Sequence, residues 1–173
     1  DKSTSICQDG DLILFDLGCE WNYYCSDISR TFPINGKFSD RQREVYEAVL
    51  EAQMEIIDNV RPGLSMQDLN EFARKRLAEA CRKVGLIEKE EDVEKYYYHK
   101  IGHYLGLDTH DVGGRGGILQ LGMVITIEPG LYIAEEGIGI RIEDDILVTK
   151  DGHENLSKDI IKSVDDIENF MKK

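Results

Sequence analysis

Two predicted β-hairpins in this chain each carry a pair of acidic residues within otherwise apolar strands. In the first hairpin, Asp16 lies in a strand predicted over residues 11–17, and Asp27 lies in a strand predicted over residues 23–32. Carboxylates are uncommon in strands, because a half-buried pleated surface favours branched and aromatic side chains. A turn near Trp21 would place Asp16 directly opposite Asp27, with Cβ atoms about 4.5–5.5 Å apart. The fold must therefore accommodate two like charges at close range.

The second predicted hairpin repeats this arrangement with two glutamates. Glu128 and Glu143 lie in strands predicted over residues 123–128 and 138–148, with a loop around residues 134–137 between them. A turn at the centre of that loop would bring the two glutamates opposite each other, although the proline after Glu128 can shift the register. Any one of the four carboxylates is most simply explained as an exposed residue at a sheet edge. Four at matching positions favour a shared site.

A cluster of four carboxylates requires positive charge, because each negative charge raises the pKa of its neighbours. Arg141 is close to Glu143 in the sequence, but one arginine is too few for four acids. A pair of divalent cations balances the cluster better, with carboxylates bridging ions about 3.5–4 Å apart. Carboxylates combined with an imidazole suit manganese, cobalt, iron or zinc better than copper. The acidic pairs therefore predict a site for two metal ions.

Three histidines in a glycine-rich stretch are candidates for that site. His99 and His103 are four residues apart, but the residue after His99 is Lys100, so the His-Glu-x-x-His helix of zinc peptidases is absent. The glycines nearby argue against a helix. An extended segment would place both imidazoles on the same side. A lone histidine is more often a core residue than a ligand, but four carboxylates nearby reverse that preference. His110 is the third candidate.

The order of predicted elements indicates an α+β fold with mainly antiparallel pairing. Two helices follow the first hairpin, with Ser39 and Ser65 as N-caps and apolar stripes at helical spacing. An acidic connector, residues 88–94, is predicted to be a solvated loop or frayed turn. The glycine-rich stretch, the second hairpin and a final helix over residues 164–171 complete the chain.

The composition of the chain excludes several classes of partner. Its 173 residues carry a formal charge of −13 with histidine neutral, which would repel nucleic acid. Apolar runs stay well below the roughly 20 residues that span a bilayer, so we expect no membrane association. The four cysteines lack a Cys-x-x-Cys pair, and the first residues do not resemble an export signal. We therefore expect reduced, structural cysteines and a cytoplasmic protein.

Five segments in fixed order resemble one known family, the pita-bread metallopeptidases of family M24. The match covers essentially the whole chain. Within the family, the run over residues 137–145 looks closest to aminopeptidase P, the Xaa-Pro aminopeptidase, with prolidase as a near neighbour. The resemblance implies the pita-bread fold, a curved and mainly antiparallel sheet with flanking helices. The segments are Asp16-Leu-Gly18, Ser26-Asp-Ile-Ser-Arg-Thr-Phe32, His103-Tyr-Leu-Gly-Leu-Asp-Thr-His-Asp-Val-Gly113, Thr126-Ile-Glu-Pro-Gly130 and Arg141-Ile-Glu-Asp-Asp145.

The resemblance implies five metal ligands. Asp16 resembles a ligand of one ion only, whereas Asp27 and Glu143 resemble carboxylates that bridge both ions. His103 and Glu128 resemble the remaining ligands of the other ion. By analogy with the family, the two ions are Mn²⁺, and Co²⁺, Zn²⁺ and Fe²⁺ are the alternatives.

The resemblance also implies a reaction and three catalytic residues. His99 and His110 resemble histidines that contact the substrate and the developing tetrahedral centre, and Glu128 is the candidate for transferring a proton to the leaving nitrogen. The implied enzyme removes the N-terminal residue from peptides with proline in second position, using a hydroxide that bridges the ions. The alternatives are an Xaa-Pro dipeptidase, a creatinase-like hydrolase and a non-catalytic peptide-binding relative. Non-catalytic relatives typically lose metal ligands, and none is lost here.

The family pattern extends beyond this chain. Members carry further strands and helices before the first aspartate strand, one of them bearing an active-site histidine, and a separate N-terminal domain. We therefore expect residues 1–173 to form a single but incomplete catalytic domain with little activity by itself, and the full-length protein to be a homo-oligomer. Lys100 stands where family members often have glycine, so the substrate contact there is expected to differ.

Overall fold

The first sheet of the structure carries the first acidic hairpin. The structure is a computed structural model that describes residues 6–114 and 116–172. Strand β1 (Leu12–Leu17) pairs antiparallel with β4 (Ile28–Pro33), and the connection between them folds back on itself as a short ladder of β2 (Glu20–Trp21) with β3 (Tyr24–Cys25).

The second half of the chain forms two further antiparallel sheets. The larger is four-stranded in the order β10, β9, β6, β5, and the smaller pairs β7 with β8. The chain passes from one sheet to the other twice, since β6 leads directly into β7 and β8 leads directly into β9. The strands are β5 (Tyr104–Leu105), β6 (Val124–Ile127), β7 (Gly130–Ile133), β8 (Ile138–Arg141), β9 (Asp144–Val148) and β10 (His153–Asn155).

Three capped helices flank these sheets. Helix α1 (Asp40–Asp58) begins with a capping box closed by Ser39, and α2 (Met66–Lys83) begins at Ser65, whose side chain accepts a backbone N–H bond from the first turn. Helix α3 (Val164–Met171) has the bounds predicted from sequence. None of the helices among the described residues has the length and hydropathy to cross a bilayer. The caps explain why local sequence located the helices, since each cap satisfies N–H groups that the helix itself leaves free.

Two apolar clusters fix the helices against the sheets. One joins α1, α2 and α3 to the β7–β8 sheet, with Val49, Leu77, Leu131 and Ile167 fully buried. The other joins the end of α1 and the start of α2 to β6 and β9, through residues that include Ile56, Leu69, Ile125 and Ile146. Full burial of one such side chain contributes about 1.5–3 kcal/mol. The strands that carry the acidic residues therefore lie on a rigid base.

The observed architecture agrees with the predicted α+β class and antiparallel pairing, but several predicted elements were wrong in detail. The strand predicted over residues 23–32 is interrupted, because β3 ends at Cys25 and β4 begins at Ile28. Asp27 lies in the interruption and not inside a strand. The acidic connector is also not a loop throughout, since Glu90–Lys95 forms a 3₁₀-helix.

The register predicted for the first hairpin was wrong, and that for the second hairpin is confirmed. Asp16 lies opposite Ser29 and not Asp27, because the turn falls one residue later than expected. In the second hairpin the predicted strand over residues 138–148 is broken between β8 and β9. On both sides of the break the register is the expected one, so Glu128 and Glu143 occupy facing positions in the gap.

The turn of the first hairpin explains its register error. Asn22 and Tyr23 both have left-handed backbone conformations, with φ of 52° and 65°. Two-residue hairpin turns of this kind favour Asn-Gly, because glycine adopts positive φ without steric cost. Tyrosine rarely adopts this conformation, so the sequence gives little indication that Tyr23 occupies the second turn position.

Replacing Tyr23 with glycine is expected to stabilise the chain by about 0.5–1 kcal/mol. Relief of about 1–2 kcal/mol of left-handed strain exceeds the roughly 0.4–1 kcal/mol of added unfolded-chain entropy. Little packing is lost, because Tyr23 is 78% exposed. The urea midpoint would measure the gain. Asn22→Gly is the matched control and should gain less, because asparagine tolerates this region. A lower midpoint for Tyr23→Gly would contradict the strain argument.

Candidate metal centre

The acidic residues of the two hairpins converge in one place. In the described part of the chain, the ligand atoms of Asp16, Asp27 and Glu143 all lie within 4.8 Å of one another. Those of His103, Glu128 and Glu143 do so as well. Glu143 belongs to both groups, as a carboxylate shared by two ions must. A third group joins Asp27 and His103 to His110.

These side chains lie where regular strand structure stops. Asp27 lies between β3 and β4, Glu128 directly after β6, and Glu143 between β8 and β9. Asp16 is near the end of β1, and His103 directly precedes β5. Residues within a ladder alternate strictly between the two faces of the sheet. The interruptions free the backbone from that alternation, so that side chains from different sheets can meet.

The segment just before β5, which carries His103, also forms backbone hydrogen bonds with the β6 segment, although it is not a regular strand. The Thr126 N–H donates to the His103 carbonyl at 2.9 Å, and the Glu128 N–H donates to the Ile101 carbonyl at 2.8 Å. A Cβ at Gly102 would collide with the Thr126 carbonyl. Glycine thus permits the close approach, which holds His103 beside Glu128. The predicted absence of a helix at His99–His103 is confirmed.

The imidazole of His103 offers a lone pair to the carboxylates. Its Nδ1 lies 3.1 Å from the Tyr104 carbonyl oxygen, which can only accept a hydrogen bond. In the neutral ring, Nδ1 therefore carries the proton and Nε2 does not. Nε2 lies 3.3 Å from Asp27 Oδ2 and 3.8 Å from Glu128 Oε1. A lone pair facing two carboxylates is repulsive unless a cation or a proton lies between them.

Burial and mutual repulsion raise the pKa of the clustered carboxyls. Burial, followed by the charge of Glu128, raises the pKa of Glu143 to about 8. Burial raises the pKa of Glu128 to about 7, against the opposing effect of Arg141. The pKa of Asp27 is raised by burial and then by the charge of Asp16. At neutral pH the folded chain alone therefore stabilises these negative charges poorly.

Arg141 supplies the nearest positive charge. Its Nη2 donates to Asp16 Oδ2 at 2.5 Å, and its Nε donates to Ser29 Oγ at 2.8 Å. Ser29 Oγ in turn donates to Glu143 Oε2 at 2.6 Å. One guanidinium thus contacts two of the four carboxylates, Asp16 directly and Glu143 through the Ser29 hydroxyl. The remaining negative charge and the free lone pair of His103 fit a pair of hard divalent cations.

The predicted histidines differ in their relation to this cluster. His110 is part of it, with its ring centroid 4.2 Å from that of His103. His99 lies outside the ligand groups. Its Nδ1 faces the Lys100 carbonyl at 2.8 Å, so its Nε2 accepts a hydrogen bond from the Tyr132 hydroxyl at 2.8 Å. Burial lowers the pKa of His99, which favours the neutral ring.

Three residues of the site were missed by sequence reasoning. Ser29 holds Glu143, Tyr132 holds His99, and Asp145 accepts the Asp27 N–H at 3.2 Å. Asp145 is 6% exposed, and burial raises its pKa to about 6. The position of Ser29 opposite Asp16 could be predicted from the hairpin only with the correct register. Asp145 could have been predicted from the sequence, because it is another acidic residue within an apolar strand.

A cavity of about 930 Å³ opens beside the cluster. It is lined on one side by His99, Lys100 and His103, and on the other by Asn70 and Arg74 of α2. This volume is in the range of small-molecule and peptide pockets. Lys100, which departs from the family pattern, therefore contributes to the wall of the cavity.

Comparison with known sequences identifies one family. The model of metallopeptidase family M24 matches residues 1–150. The Xaa-Pro aminopeptidase of Haemophilus influenzae is 44% identical over 182 residues, covering 94% of this chain and 42% of the relative. The Xaa-Pro aminopeptidase of Escherichia coli is 42% identical over 183 residues, covering 95% of this chain and 42% of the relative. The chain thus spans about two fifths of the length of these curated relatives.

Comparison with solved structures confirms the predicted pita-bread fold. A provisionally assigned aminopeptidase P from Bacillus anthracis is 61% identical with a TM-score of 0.95, and covers 97% of this chain and 40% of that chain. Aminopeptidase P from Escherichia coli with the inhibitor Pro-Leu is 41% identical with a TM-score of 0.89, and covers 95% of this chain and 42% of that chain.

Proposed function

The chain belongs to metallopeptidase family M24, and from that premise we propose that it carries the dinuclear metal centre of an Xaa-Pro aminopeptidase. Such an enzyme removes the N-terminal residue from peptides with proline in second position. The observation that carries the proposal is the pair of ligand groups that share Glu143. The names of the curated relatives, both Xaa-Pro aminopeptidases, support the substrate class, and the inhibitor Pro-Leu of the Escherichia coli structure begins with proline.

The five predicted ligands would hold the two ions as follows. Asp16 would hold one ion, His103 and Glu128 would hold the other, and Asp27 and Glu143 would be shared by both, which agrees with the ligand atoms that lie within 4.8 Å of one another. We propose Mn²⁺, with Co²⁺, Zn²⁺ and Fe²⁺ as alternatives that the same oxygen-rich donors accept. When bound, the ions supply Lewis acidity and lower the pKa of water at the site towards neutrality.

The remaining steps are assigned to side chains of the chain itself. Glu128 would accept a proton from the attacking water and return it to the leaving prolyl nitrogen, because its carboxylate lies within the ligand cluster and within reach of water there. His110, exposed at the edge of the cluster, donates to the scissile carbonyl oxygen. His99, kept neutral by burial and oriented by Tyr132, contacts the substrate from the cavity wall.

A substrate panel with Mn²⁺ tests the proposal. We expect release of the first residue from Xaa-Pro peptides of three or more residues, favoured about 100-fold over the same peptides with alanine at position two. Cleavage of Xaa-Pro dipeptides alone would favour the prolidase alternative, and activity on creatine alone would favour a creatinase-like enzyme. A longer form of the protein that binds Mn²⁺ and peptide without cleaving any of these would be a non-catalytic relative.

We also propose that residues 1–173 form one part of a larger catalytic domain, with little activity by themselves. The coverage of about two fifths of the relatives supports this. So does the outer edge of β1, which pairs with no second strand among residues 6–114 and 116–172. Phe15 and Leu17 of β1 are 41% and 63% exposed. An unpaired edge bearing apolar side chains is suited to accept further strands.

The panel therefore compares this chain with a longer natural form of the protein. We expect Mn²⁺ binding by both and efficient turnover by the longer form only. A homo-oligomer and a cytoplasmic location are proposed for the longer form, on the family resemblance and on the cysteine usage respectively.

A further inference from the structure

A buried ion network lies directly behind the proposed bridging ligands. Arg30 is 3% exposed and Asp144 is completely buried, and Arg30 Nη2 lies 2.7 Å from Asp144 Oδ1. The other oxygen of Asp144 accepts from Lys162 Nζ at 2.6 Å and from Asn155 Nδ2 at 2.8 Å. Two cations thus share one carboxylate. Asp144 directly follows Glu143, so the network is anchored beside a proposed ligand.

The guanidinium of Arg30 fixes the backbone that carries Glu143. Its Nη1 donates to the Glu143 carbonyl at 2.6 Å and to the Ser29 carbonyl at 2.9 Å. The Glu143 N–H donates to the same Ser29 carbonyl at 3.0 Å. Ser29 Oγ also donates to the Glu143 carboxylate. Arg30 therefore fixes the backbone of both residues that form this hydrogen bond. Asp27 lies two residues before Ser29 on the same chain segment.

A second arm of the network reaches the other glutamate. Lys162 Nζ donates to Gln53 Oε1 at 2.9 Å. The buried Gln53 amide donates to the carbonyls of Ile142 at 3.1 Å and of Ile127 at 3.4 Å. These carbonyls belong to the residues directly before Glu143 and Glu128. The network therefore contacts the peptide bonds that lead into both glutamates without touching either carboxylate.

We propose that Arg30, held by Asp144, is a positioning residue for the dinuclear metal centre, and that Lys162 extends this role through Gln53. The inference rests on the metal site proposed above. A buried ion pair contributes little net stability compared with apolar packing, so stability alone does not account for the network. The planar guanidinium fixes two carbonyls in defined directions, which the single ammonium of lysine cannot. Lys162 lies beyond residue 150, where the family match ends.

The test titrates Mn²⁺ into the Arg30→Lys variant and follows binding by electron paramagnetic resonance. Two ions held together give a spin-coupled spectrum, whereas one ion gives an isolated spectrum. We expect the native chain to bind two ions. We expect Arg30→Lys to bind the second ion about 10- to 100-fold more weakly, the usual effect of losing a residue behind the ligands. The spin-coupled spectrum should be lost accordingly.

Tyr46→Phe is the matched control. The buried Tyr46 hydroxyl donates to the Lys162 carbonyl at 3.0 Å, so this variant also loses a buried hydrogen bond to the same chain segment. It leaves the hydrogen bonds to the Glu143 and Ser29 carbonyls in place. We therefore expect some loss of thermal stability and native binding of both ions.

A second pair of variants covers the case that Arg30→Lys does not fold. Lys162 is partly exposed, and Lys162→Met should fold with the second ion bound several-fold more weakly, while Lys162→Arg should restore binding. Native Mn²⁺ affinities in folded Arg30→Lys and Lys162→Met, or losses that merely follow the unfolded fraction seen by circular dichroism, would overturn the inference alone. Failure of the native chain to bind two ions would overturn it together with the proposed function.

Discussion

Replacing Asp27 with alanine is expected to abolish binding of both metal ions and peptide hydrolysis together. Asp27 shares one ligand group with Asp16 and Glu143, and another with His103 and His110. One substitution therefore removes an oxygen from both proposed ion sites. The loss of Mn²⁺ affinity should exceed about 100-fold, the upper range for residues that act only from behind the ligands. Calorimetric Mn²⁺ titration and hydrolysis of an Xaa-Pro peptide by the longer form measure the two effects.

The same substitution should raise the stability of the metal-free chain. Burial and the charge of Asp16 raise the pKa of Asp27, so its ionised form opposes folding at neutral pH. Lower metal affinity combined with higher metal-free stability distinguishes a ligand from a residue whose loss simply damages the fold. Asp151→Ala, at an exposed turn, is the control and should change neither quantity. Turnover retained by Asp27→Ala would refute the proposed centre.

The metal-free chain is expected to lose stability as pH rises from about 4 to 8, and divalent ions should restore it. The folded pKa is about 6 for Asp145, about 7 for Glu128 and about 8 for Glu143, against ordinary values of 3.8 and 4.5. A raised pKa means that the folded state binds the proton more tightly. The stabilisation is therefore complete below the unfolded pKa and is lost as pH rises through the folded values. Since each pKa unit corresponds to about 1.4 kcal/mol, the loss should reach several kcal/mol.

Thermal unfolding with a chelator at pH 5 and pH 8 measures this loss. Saturating Mn²⁺ at about 100 times its dissociation constant should add about 2.7 kcal/mol per site, with the larger recovery at pH 8. Glu143→Gln is the matched variant, because it removes the carboxyl with the highest folded pKa of these three and should flatten the metal-free profile. Greater metal-free stability at pH 8 than at pH 5 would contradict the predicted electrostatics of the cluster.

The parts of the fold that sequence predicted are those determined locally. The helices at Ser39 and Ser65 were located because N-caps and apolar stripes lie within each helix itself. The second hairpin was registered correctly because Gly137, at φ 64°, closes a turn where the loop was expected. The first hairpin was not, because Tyr23 adopts a conformation that side chains disfavour.

The candidate site was only partly predictable for a related reason. The acidic residues were identified because carboxylates conflict with apolar strands, and that conflict is visible in the sequence. Ser29 and Tyr132 do not stand out in the same way, since serine and tyrosine are not unusual within a strand. Arg30 and Lys162 meet around Asp144 only after the segment that follows β10 folds back. Contacts of that range have no local pattern from which they could be predicted.

The interruptions in the strands make the proposed ions part of the architecture. Asp16 belongs to the sheet of β1 and β4, whereas Glu128 and Glu143 lie where the sheets of the second half meet. Ions shared among these side chains would act as removable cross-links between the sheets, in addition to the apolar packing and the Arg30–Asp144 ion pair that already join them. Metal supply would then govern how readily the sheets separate and expose cleavable backbone. The chain would then be cleaved by proteases more readily without the metal than with it.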